Sequence, residues 1–176
     1  LNRYFDAQDG KAATIEDFIG AFQASTEEDL TTFAQWYSQA GTPLVRARGD
    51  YDAANRSWKL TLTQKTPPTP GQPVKAPQRI PMRIALFDAN GVKLETRFNG
   101  ASGDEHTVVL DKFSDGFVFA DVASPPRASL NRGFSAPIRL ADDMSEADRA
   151  TLAGHDDDAF AQWEALQTIA RAVILD

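Results

Sequence analysis

The stretch Trp36-Tyr37-Ser38-Gln39-Ala40-Gly41-Thr42-Pro43 separates a helical beginning from a middle of short strands. Gly41 suits the C′ position of a helix, where the left-handed backbone conformation costs least in glycine. Pro43 cannot continue a helix, and it pushes Thr42 towards extended geometry. After it, Val45 and Ala47 alternate with charged residues, as in a strand with one buried face. We therefore predict that helix gives way to strand at this point.

Composition limits the class of protein. The 176 residues, of which 42% are hydrophobic, suffice for one medium domain or one domain with flanking pieces. The sequence has no cysteine, which excludes disulfides, thiolate nucleophiles and cysteine-ligated zinc, and fits a reducing, cytoplasmic compartment. No apolar run is long enough for a membrane span. Residues 1–5 have neither an initiator Met nor a signal-peptide layout, so we expect a piece cut from a longer chain.

Charge and proline divide the chain into three segments. The net charge of −7 argues against a nucleic-acid partner. Residues 1–40 carry −5, residues 41–140 carry +5, and residues 141–176 carry −7. All ten prolines lie between Pro43 and Pro137. Because proline is excluded from helix interiors, this distribution indicates a strand-rich middle between helical flanks.

Two helices are predicted before the junction. Thr14 and Asp17 have the spacing of a capping box, with Thr14 as the N-cap. The apolar residues that follow at helical spacing are Ile15, Phe18, Ile19 and Phe22. Ser25 or Thr26 is predicted to cap the second helix, with the acids of residues 27–29 in its first turn. The apolar side of that helix comprises Leu30, Phe33, Trp36 and Tyr37.

Helical patterns return near the end of the chain. Ser145 and Asp148 form a second candidate capping box, for a short helix that runs towards His155. The acids Asp156-Asp157-Asp158 then precede a longer helix and suit its positive N-terminus. Its predicted apolar face comprises Phe160, Trp163, Leu166, Ile169, Ala170 and Val173.

The middle segment predicts an immunoglobulin-like antiparallel β-sandwich, flanked at both ends by α-helical segments, so that the fold is mainly β. About seven short strands with frequent turns are typical of that fold. The strand residues are Trp58, Leu60, Leu62, Ile80, Met82, Ile84, Leu86, Val108, Leu110, Phe117 to Val122 and Phe134 to Leu140. The predicted turns and strand separators are Asn90-Gly91, Asn99-Gly100 and Asp115-Gly116.

A proline-rich segment, Thr66 to Pro73, interrupts the strand pattern, and five prolines lie from Pro67 to Pro77. Its simplest interpretation is a stiff, polyproline-type connection between two strands. The alternative is a ligand for a proline-recognition module. We favour the connection because a good strand pattern stands on each side.

The sequence contains no recognisable catalytic apparatus. The two histidines, His106 and His155, stand far apart and belong to no His-Glu-x-x-His motif. The run Asp156 to Asp158 lacks the internal glycine and terminal glutamate of a calcium loop, so we interpret it as a helix N-terminus. We therefore predict no catalytic residue, no cofactor-binding residue and no metal ligand in these 176 residues.

Four arginines on predicted strands suggest a basic strip: Arg46, Arg48, Arg79 and Arg83. The simplest interpretation is an exposed sheet face. The functional alternative is a surface for an acidic partner, which includes the acidic flanks of the chain itself.

A series of segments, met in order along almost the whole chain, resembles one known family. The segments are Tyr4-Phe5 with Asp9-Gly10, Ala12-Ala13-Thr14 with Glu16-Asp17-Phe18, Trp36 to Pro43, Leu60-Thr61-Leu62-Thr63-Gln64, Thr66 to Gln72, Ile80-Pro81, Phe134-Ser135-Ala136-Pro137, and Phe160 with Trp163-Glu164. Together they resemble the bacterial aminopeptidase N family, the alanyl aminopeptidases of the zinc-dependent gluzincin class.

The resemblance implies a division into three parts. Residues 1–40 would be the last helices of a thermolysin-like catalytic domain, residues 41–142 a β-sandwich domain, and residues 143–176 the first helices of a C-terminal helical domain. The zinc motif and catalytic residues of the family lie upstream, so none is carried over. The implied parent enzyme removes N-terminal residues from peptides by means of a zinc-bound water. The implied partners are peptide substrates and the remainder of the same polypeptide.

A competing hypothesis is an independent immunoglobulin-like module that binds protein or carbohydrate. Under either hypothesis, both flanks carry apolar faces that need a partner surface. We expect the acidic flanks to be drawn weakly to the basic middle, with apolar burial supplying most of the hold. We also expect an exposed apolar patch to remain, with self-association or fraying at one flank.

Overall fold

The computed structural model describes residues 1–26 and 29–175. Within these residues, three helices precede nine strands and two helices follow them. The helices are α1 (Asn2–Gln8), α2 (Ile15–Thr26), α3 (Thr31–Ser38), α4 (Glu146–His155) and α5 (Ala159–Leu175). The strands are β1 (Leu44–Asp52), β2 (Ser57–Lys65), β3 (Ile80–Phe87), β4 (Thr96–Phe98), β5 (Ala101–Gly103), β6 (His106–Leu110), β7 (Ser114–Ala120), β8 (Arg127–Leu130) and β9 (Arg139–Asp142). None of the helices in the described ranges is long and apolar enough to cross a membrane.

The strands form the two layers that the alternating pattern predicts. One sheet has six strands in the order β5-β4-β7-β2-β1-β9, and the other has three in the order β6-β3-β8. Every pairing is antiparallel except that of β1 with β9, where Leu44 lies opposite Arg139 in a parallel ladder. This parallel pairing departs from the predicted antiparallel arrangement. It brings the end of the sandwich back beside its beginning.

The core lies between the two sheets. The predicted alternation is confirmed, because Trp58, Leu60 and Leu62 of β2 are buried. So are Ile84 and Leu86 of β3, on the facing sheet. Aromatic rings pack together in this core: the ring centroid of Trp58 lies 5.6 Å from that of Phe119. Burial of this set supplies the main driving force for the sandwich.

Two buried glutamines close one end of this core. The side-chain amide of Gln64 donates to the carbonyl oxygens of Gln78 (2.8 Å) and Lys112 (3.0 Å). The side-chain oxygen of Gln64 accepts from the backbone amide of Gln78 at 2.8 Å. The pair therefore supplies hydrogen-bond partners to two connections, β2–β3 and β6–β7, which partly offsets the cost of burying polar groups. No local sequence pattern around Gln64 or Gln78 predicts this role.

Two strand predictions are wrong in detail. Asp115-Gly116 does not separate strands, because both residues lie within β7. Phe134 to Leu140 is not one strand: residues Arg132–Phe134 form a 3-10 turn, and β9 begins only at Arg139. Phe134 has a positive φ of 52°, which is incompatible with a strand. The turns at Asn90-Gly91 and Asn99-Gly100 are confirmed, with left-handed glycines in both.

The first predicted capping box is confirmed, and the second helix start is wrong. The Asp17 amide donates to the Thr14 hydroxyl at 3.3 Å, and the Thr14 amide donates back to the Asp17 carboxylate at 2.9 Å. Ser25 and Thr26 do not cap α3, since both end α2, where their hydroxyls bond to carbonyls one turn earlier. The amide of Thr31, the first residue of α3, bonds to the Asp29 carboxylate instead. The predicted acids at residues 27 and 28 lie outside the described residues.

The proline-rich segment packs against the residues that connect α3 to β1. Helix α3 ends at Ser38 with Gln39 as its C-cap, so Gly41, which has a φ of +100°, lies one residue beyond the C′ position predicted for it. A Cβ on Gly41 would lie only 3.2 Å from the Thr66 methyl group. The side-chain amide of Gln72 donates to the Ser38 carbonyl at 2.8 Å. The segment is thus a connection from β2 to β3 that also holds the end of α3.

Both C-terminal helices begin as predicted. The Asp148 amide donates to the Ser145 hydroxyl at 3.1 Å, which caps α4, and α4 ends at His155. The Ala161 amide donates to Asp158 at 2.9 Å, in the first turn of α5. The predicted apolar face of α5 is not its buried side. Ala165 is buried, whereas Trp163 is 56% exposed.

The core assignment predicts a large loss of stability on truncation of β2. Leu60→Ala should lower the free energy of unfolding by about 2–5 kcal/mol, because it removes buried methyl groups and leaves a cavity. Chemical denaturation measures the difference from the unaltered chain. Lys59→Ala on the exposed face of the same strand is the matched control, with a change within about 0.5 kcal/mol. Equal losses in the two variants would show that the strand faces are inverted.

Candidate functional site

The histidines and arginines that the sequence singles out as possible site residues do not lie together in the fold. His106 lies at the start of β6 and contacts Thr96, whereas His155 ends α4. Among the described residues, no group of three or more His, Cys, Asp and Glu side chains is placed to hold a metal ion. The four arginines do not form one strip, because Arg46 and Arg48 belong to the six-stranded sheet. Arg83 belongs to the facing sheet and pairs with Glu105.

The most elaborate polar arrangement is instead built on a tight turn after β8. Asn131 and Gly133 have positive φ angles of 55° and 60°, respectively, and Phe134 has 52°. The Asn131 carboxamide oxygen accepts from the Ala136 amide at 2.9 Å, which fixes the turn from within. The Gly133 amide donates to Asp158 at 3.0 Å, which ties the turn to the start of α5. The turn projects the side chain of Arg132 inward.

Arg132 is a buried cation surrounded by acids from two regions of the chain. Its guanidinium bonds to Asp156 at 2.5 Å and to Glu105 at 2.8 Å, and it also pairs with Asp157. The side chains of Arg132 and Asp156 are 3% and 0% exposed, respectively. A fourth bond goes to the Ser129 hydroxyl at 3.2 Å. The planar fork of arginine suits such multiple bonding, which lysine could not reproduce. We call these five residues the Arg132 cluster.

Further contacts hold the end of α4 and the α4–α5 link against the sandwich. Lys93 bridges Asp157 at 3.0 Å and Asp104 at 3.2 Å. Beside it, Gly91 lies so close to His155 that a Cβ on Gly91 would overlap the histidine side chain. The end of α4 is therefore packed against the turn between β3 and Lys93. Glycine is required there both for space and for its φ of +78°.

The cluster perturbs the pKa values of its acids. Burial alone would raise the pKa of Asp157, but the bonds from Arg132 and Lys93 outweigh it and hold the pKa at about 2. Burial also opposes ionisation of Glu105, and the bonds from Arg132 and Arg83 lower its pKa nevertheless. The pKa of Arg132 is raised because the surrounding carboxylates outweigh its desolvation. All three groups are therefore held in their charged forms.

The expected attraction between the basic middle and an acidic flank is confirmed for the C-terminal flank. Besides the Arg132 cluster, Arg127 of β8 pairs with Asp148 of α4 at 2.7 Å. The N-terminal flank is joined mainly by hydrogen bonds to neutral groups and by packing of Trp36 against the core. The Trp36 indole donates to the Arg79 carbonyl at 2.9 Å, and the Gln39 side chain bonds to the backbone of Ala76. Both flanks are thus attached to the sandwich.

Each flank also keeps an uncovered apolar surface. Between α2 and α3 lies a groove lined by Phe18, Ile19, Phe22, Leu30, Phe33 and Tyr37. Tyr37 is 54% exposed, and Ile19 is the only buried residue of α2. On α5, the side chains left exposed include Trp163, Leu166 and Val173. Contiguous exposed apolar surface is typical of sites that contact further protein.

The local sequence pattern does not identify Arg132, and it predicts Asp156 to Asp158 only as acids at a helix N-terminus. Of these three, Asp158 accepts from the Ala161 amide in the first turn of α5, and it also accepts from the Gly133 amide. The only local signal was Asn131-Arg132-Gly133, in which two residues that tolerate positive φ flank an arginine. Such a signal predicts a turn but does not identify the acids that the arginine meets.

Comparisons with known proteins agree on one group. The family described as "Domain of unknown function (DUF3458) Ig-like fold" matches residues 41–143. Aminopeptidase N of Caulobacter vibrioides is 45% identical over 172 residues, which is 98% of this chain and 19% of the relative. Aminopeptidase N of Escherichia coli is 34% identical over 169 residues, or 96% of this chain and 19% of the relative. The chain thus spans about a fifth of the length of these curated relatives.

A solved structure extends the similarity to three dimensions. The structure of Legionella pneumophila aminopeptidase A in complex with aspartic acid matches with a TM-score of 0.82 and 25% sequence identity. The match covers 98% of this chain and 18% of that chain. It includes the flanking helices as well as the sandwich.

Because the Arg132 cluster is buried, we expect two arginine substitutions to lower the free energy of unfolding by different amounts. Arg132→Met should lower the free energy of unfolding by about 3–5 kcal/mol, because it leaves Asp156 charged, buried and without its cation. Arg97→Met is the matched control, since Arg97 pairs with Asp121 at the same 2.5 Å, but both side chains are half-exposed. That control should cost at most about 1 kcal/mol. Adding Asp156→Asn to Arg132→Met should recover part of the loss, and equal costs for the two single variants would contradict the assignment.

The lowered pKa of Asp157 predicts a loss of stability in acid. Its pKa is about 2 in the folded chain against an ordinary value of 3.8, so its stabilising contribution is complete above about pH 4 and disappears as the pH falls towards about 2. Asp157→Asn should flatten the pH dependence of the free energy of unfolding in this window. Urea denaturation at a series of pH values measures it. An unchanged slope in the variant would show that Asp157 is not held by the cluster.

Proposed function

The chain belongs to the family of immunoglobulin-like domains described as DUF3458, and from this premise we propose that it is the non-catalytic connecting part of a zinc-dependent aminopeptidase. The parent enzyme would remove N-terminal amino acids from peptides. Its zinc and its catalytic residues would lie in polypeptide outside this stretch. Three curated relatives that carry the name aminopeptidase N support the proposal.

The proposed division places the last catalytic-domain helices at residues 1–40, the sandwich at 41–142 and the first helices of a helical domain at 143–176. The family match over residues 41–143 supports the two boundaries. Hydrogen bonds from the Gln72 side chain connect the first part to the sandwich, and the Arg132 cluster connects the third part to it. A cytoplasmic location is proposed on the absence of cysteine, which fits a reducing compartment.

One observation carries this function: both flanks are fixed to the sandwich by specific polar contacts, yet both keep apolar surfaces open. A linker that only tethers two domains needs no such fixation. A domain that sets the orientation of its neighbours needs rigid joints on the inside and contact surfaces on the outside. The Arg132 cluster and the side-chain hydrogen bonds of Gln39 and Gln72 supply the fixed connections. The groove between α2 and α3 and the exposed side of α5 supply the contact surfaces.

A chimera, in which this chain replaces the matching part of a relative, tests the proposal. The matched 172-residue stretch of Caulobacter vibrioides aminopeptidase N would be exchanged for this chain. We expect the chimera to keep its zinc and most of its peptidase turnover, while the isolated 176-residue chain has neither. The same chimera with Arg132→Met should lose stability or turnover, whereas the Arg97→Met chimera should not.

Two outcomes would contradict the proposal. One is stoichiometric, tight zinc binding with aminopeptidase turnover by the isolated chain. The other is a folded, zinc-loaded chimera without turnover, since the exchanged part would then do more than connect. Calorimetric titration of the isolated chain with peptides and glycans covers the alternative of an independent binding module, which saturable binding would support.

A further inference from the structure

The six-stranded sheet leaves more than half of strand β1 without a neighbour on one side. Strand β1 runs over Leu44–Asp52, and the edge strand β9 pairs only with its beginning, where the last pair is Ala47 with Asp142. In the part of the chain that the structure describes, no other strand lies beside β1 on that side. Residues 48–52 therefore form an open strand edge, which we call the β1 edge.

The pairing with β9 shows which backbone groups point to this edge. The Arg139 amide donates to the Pro43 carbonyl at 2.9 Å, so Pro43 and every second residue after it point their backbone groups to the β9 side. Beyond the end of β9, the same alternation gives Gly49 and Tyr51. The amides and carbonyls of these two residues point away from β2 and have no partner strand among the described residues. Such a row of backbone groups is a template for a further strand.

A cleft of about 280 Å³ opens between the two sheets next to the β1 edge. Gly49 forms part of its wall, together with Trp58 and Leu60 from the inner face of the six-stranded sheet. Ala128 and Leu130 of β8 lie on the other side, and the polar part of the wall comes mainly from the start of α4 and the residues before it. Residues opposite each other in a ladder point to the same face, so a side chain opposite Gly49 would be directed into this cleft. The apolar side of the cleft suits a small aliphatic group.

Two charged side chains lie on the outer face of the β1 edge. Arg48 and Asp50 are 74% and 61% exposed, and their charged groups approach each other only to 3.8 Å. Neither side chain has a second charged partner in the described ranges. A strand added to this edge therefore meets a positive group at Arg48 and a negative group at Asp50. This order of charges favours an acid and a base on either side of the apolar residue that enters the cleft.

We propose that the β1 edge binds an extended segment of a separate polypeptide, which joins the six-stranded sheet as an additional strand. The segment presents an apolar side chain opposite Gly49, between an acid opposite Arg48 and a base opposite Asp50. Backbone hydrogen bonds to Gly49 and Tyr51 supply the affinity, and the side chains supply the specificity. Antiparallel pairing is the more stable direction, so the order along the partner is base, apolar residue, acid. This surface lies outside the connecting function proposed above and does not depend on it.

A synthetic peptide with this pattern, acetyl-Thr-Val-Lys-Val-Glu-amide, tests the site on the 176-residue chain. We expect saturable binding by calorimetry, together with slower hydrogen exchange of the Gly49 and Tyr51 amides, because these amides gain acceptors. An N-methyl group on the backbone nitrogen of the second valine should abolish binding, since that nitrogen donates to the Gly49 carbonyl in the paired strand. This control leaves the protein itself unaltered.

Charge reversal at the β1 edge tests the side-chain contacts. Arg48→Glu should weaken binding at least about threefold, because it turns an attraction into a repulsion. The peptide with lysine in place of its glutamate should recover the affinity for this variant. Lys65→Glu is the matched control: it makes the same change of charge at an exposed residue of β2 outside the edge, and it should leave the affinity unchanged.

Absent binding, binding that survives the N-methyl group, or equal affinities of Arg48→Glu and Lys65→Glu would overturn the proposal. If Arg48→Glu does not fold, the unaltered chain decides. Amides of Gly49 and Tyr51 that are already protected from exchange without peptide would show that the edge is not open.

Two further measurements test whether the partner is a separate polypeptide. A folded chimera that binds the peptide as the isolated chain does would support it, whereas a folded chimera without binding would assign the β1 edge to the adjoining polypeptide. A dimer of the unaltered chain in ultracentrifugation, dissociated by the peptide, would assign the edge to a second copy. Either of the last two results would overturn the proposal.

Discussion

A buried guanidinium must meet enough negative charge to offset its lost hydration, and the C-terminal half of this structure is arranged around that requirement. Arg132 takes Glu105 from the turn before β6 and two aspartates from the link between α4 and α5. Three separate segments are therefore held at one point. Because a guanidinium bonds with a fixed planar geometry, the cluster restricts the direction of the helices as well as their attachment.

The two flanks are attached by different physical means. The C-terminal helices are held by buried and half-buried charges, with Gly91 allowing close packing against His155. The N-terminal flank is held by hydrogen bonds between α3 and the proline-rich connection, in which Gln39 and Gln72 bond to backbone groups. Helices α1 and α2 are attached mainly to each other, through ring contacts such as Tyr4 with Phe18 at 5.2 Å. Few of their residues are buried, so we expect the N-terminal flank to be the less stable one.

Local patterns predicted what depends on local geometry. The alternation at Trp58, Leu60 and Leu62 identified the buried face of β2, because successive side chains of a strand point to opposite sides. The capping boxes at Thr14 and Ser145 were correct because a cap involves only the first turn of a helix. The Arg132 cluster and the Gln64–Gln78 pair could not be predicted, since their partners are far apart in sequence. The strand predicted from Phe134 failed because the fold holds that residue at a positive φ.

Amide hydrogen exchange of the monomeric chain tests most directly whether the Arg132 cluster makes the C-terminal helices part of the sandwich. We expect amides of α4 around the buried Leu152 to open with the same free energy as those of β2, whereas amides of α2 open more easily. Arg132→Met should then lower the protection of α4 more than that of β2. Amides of α4 that exchange as readily as those of α2 in the unaltered chain would contradict the account.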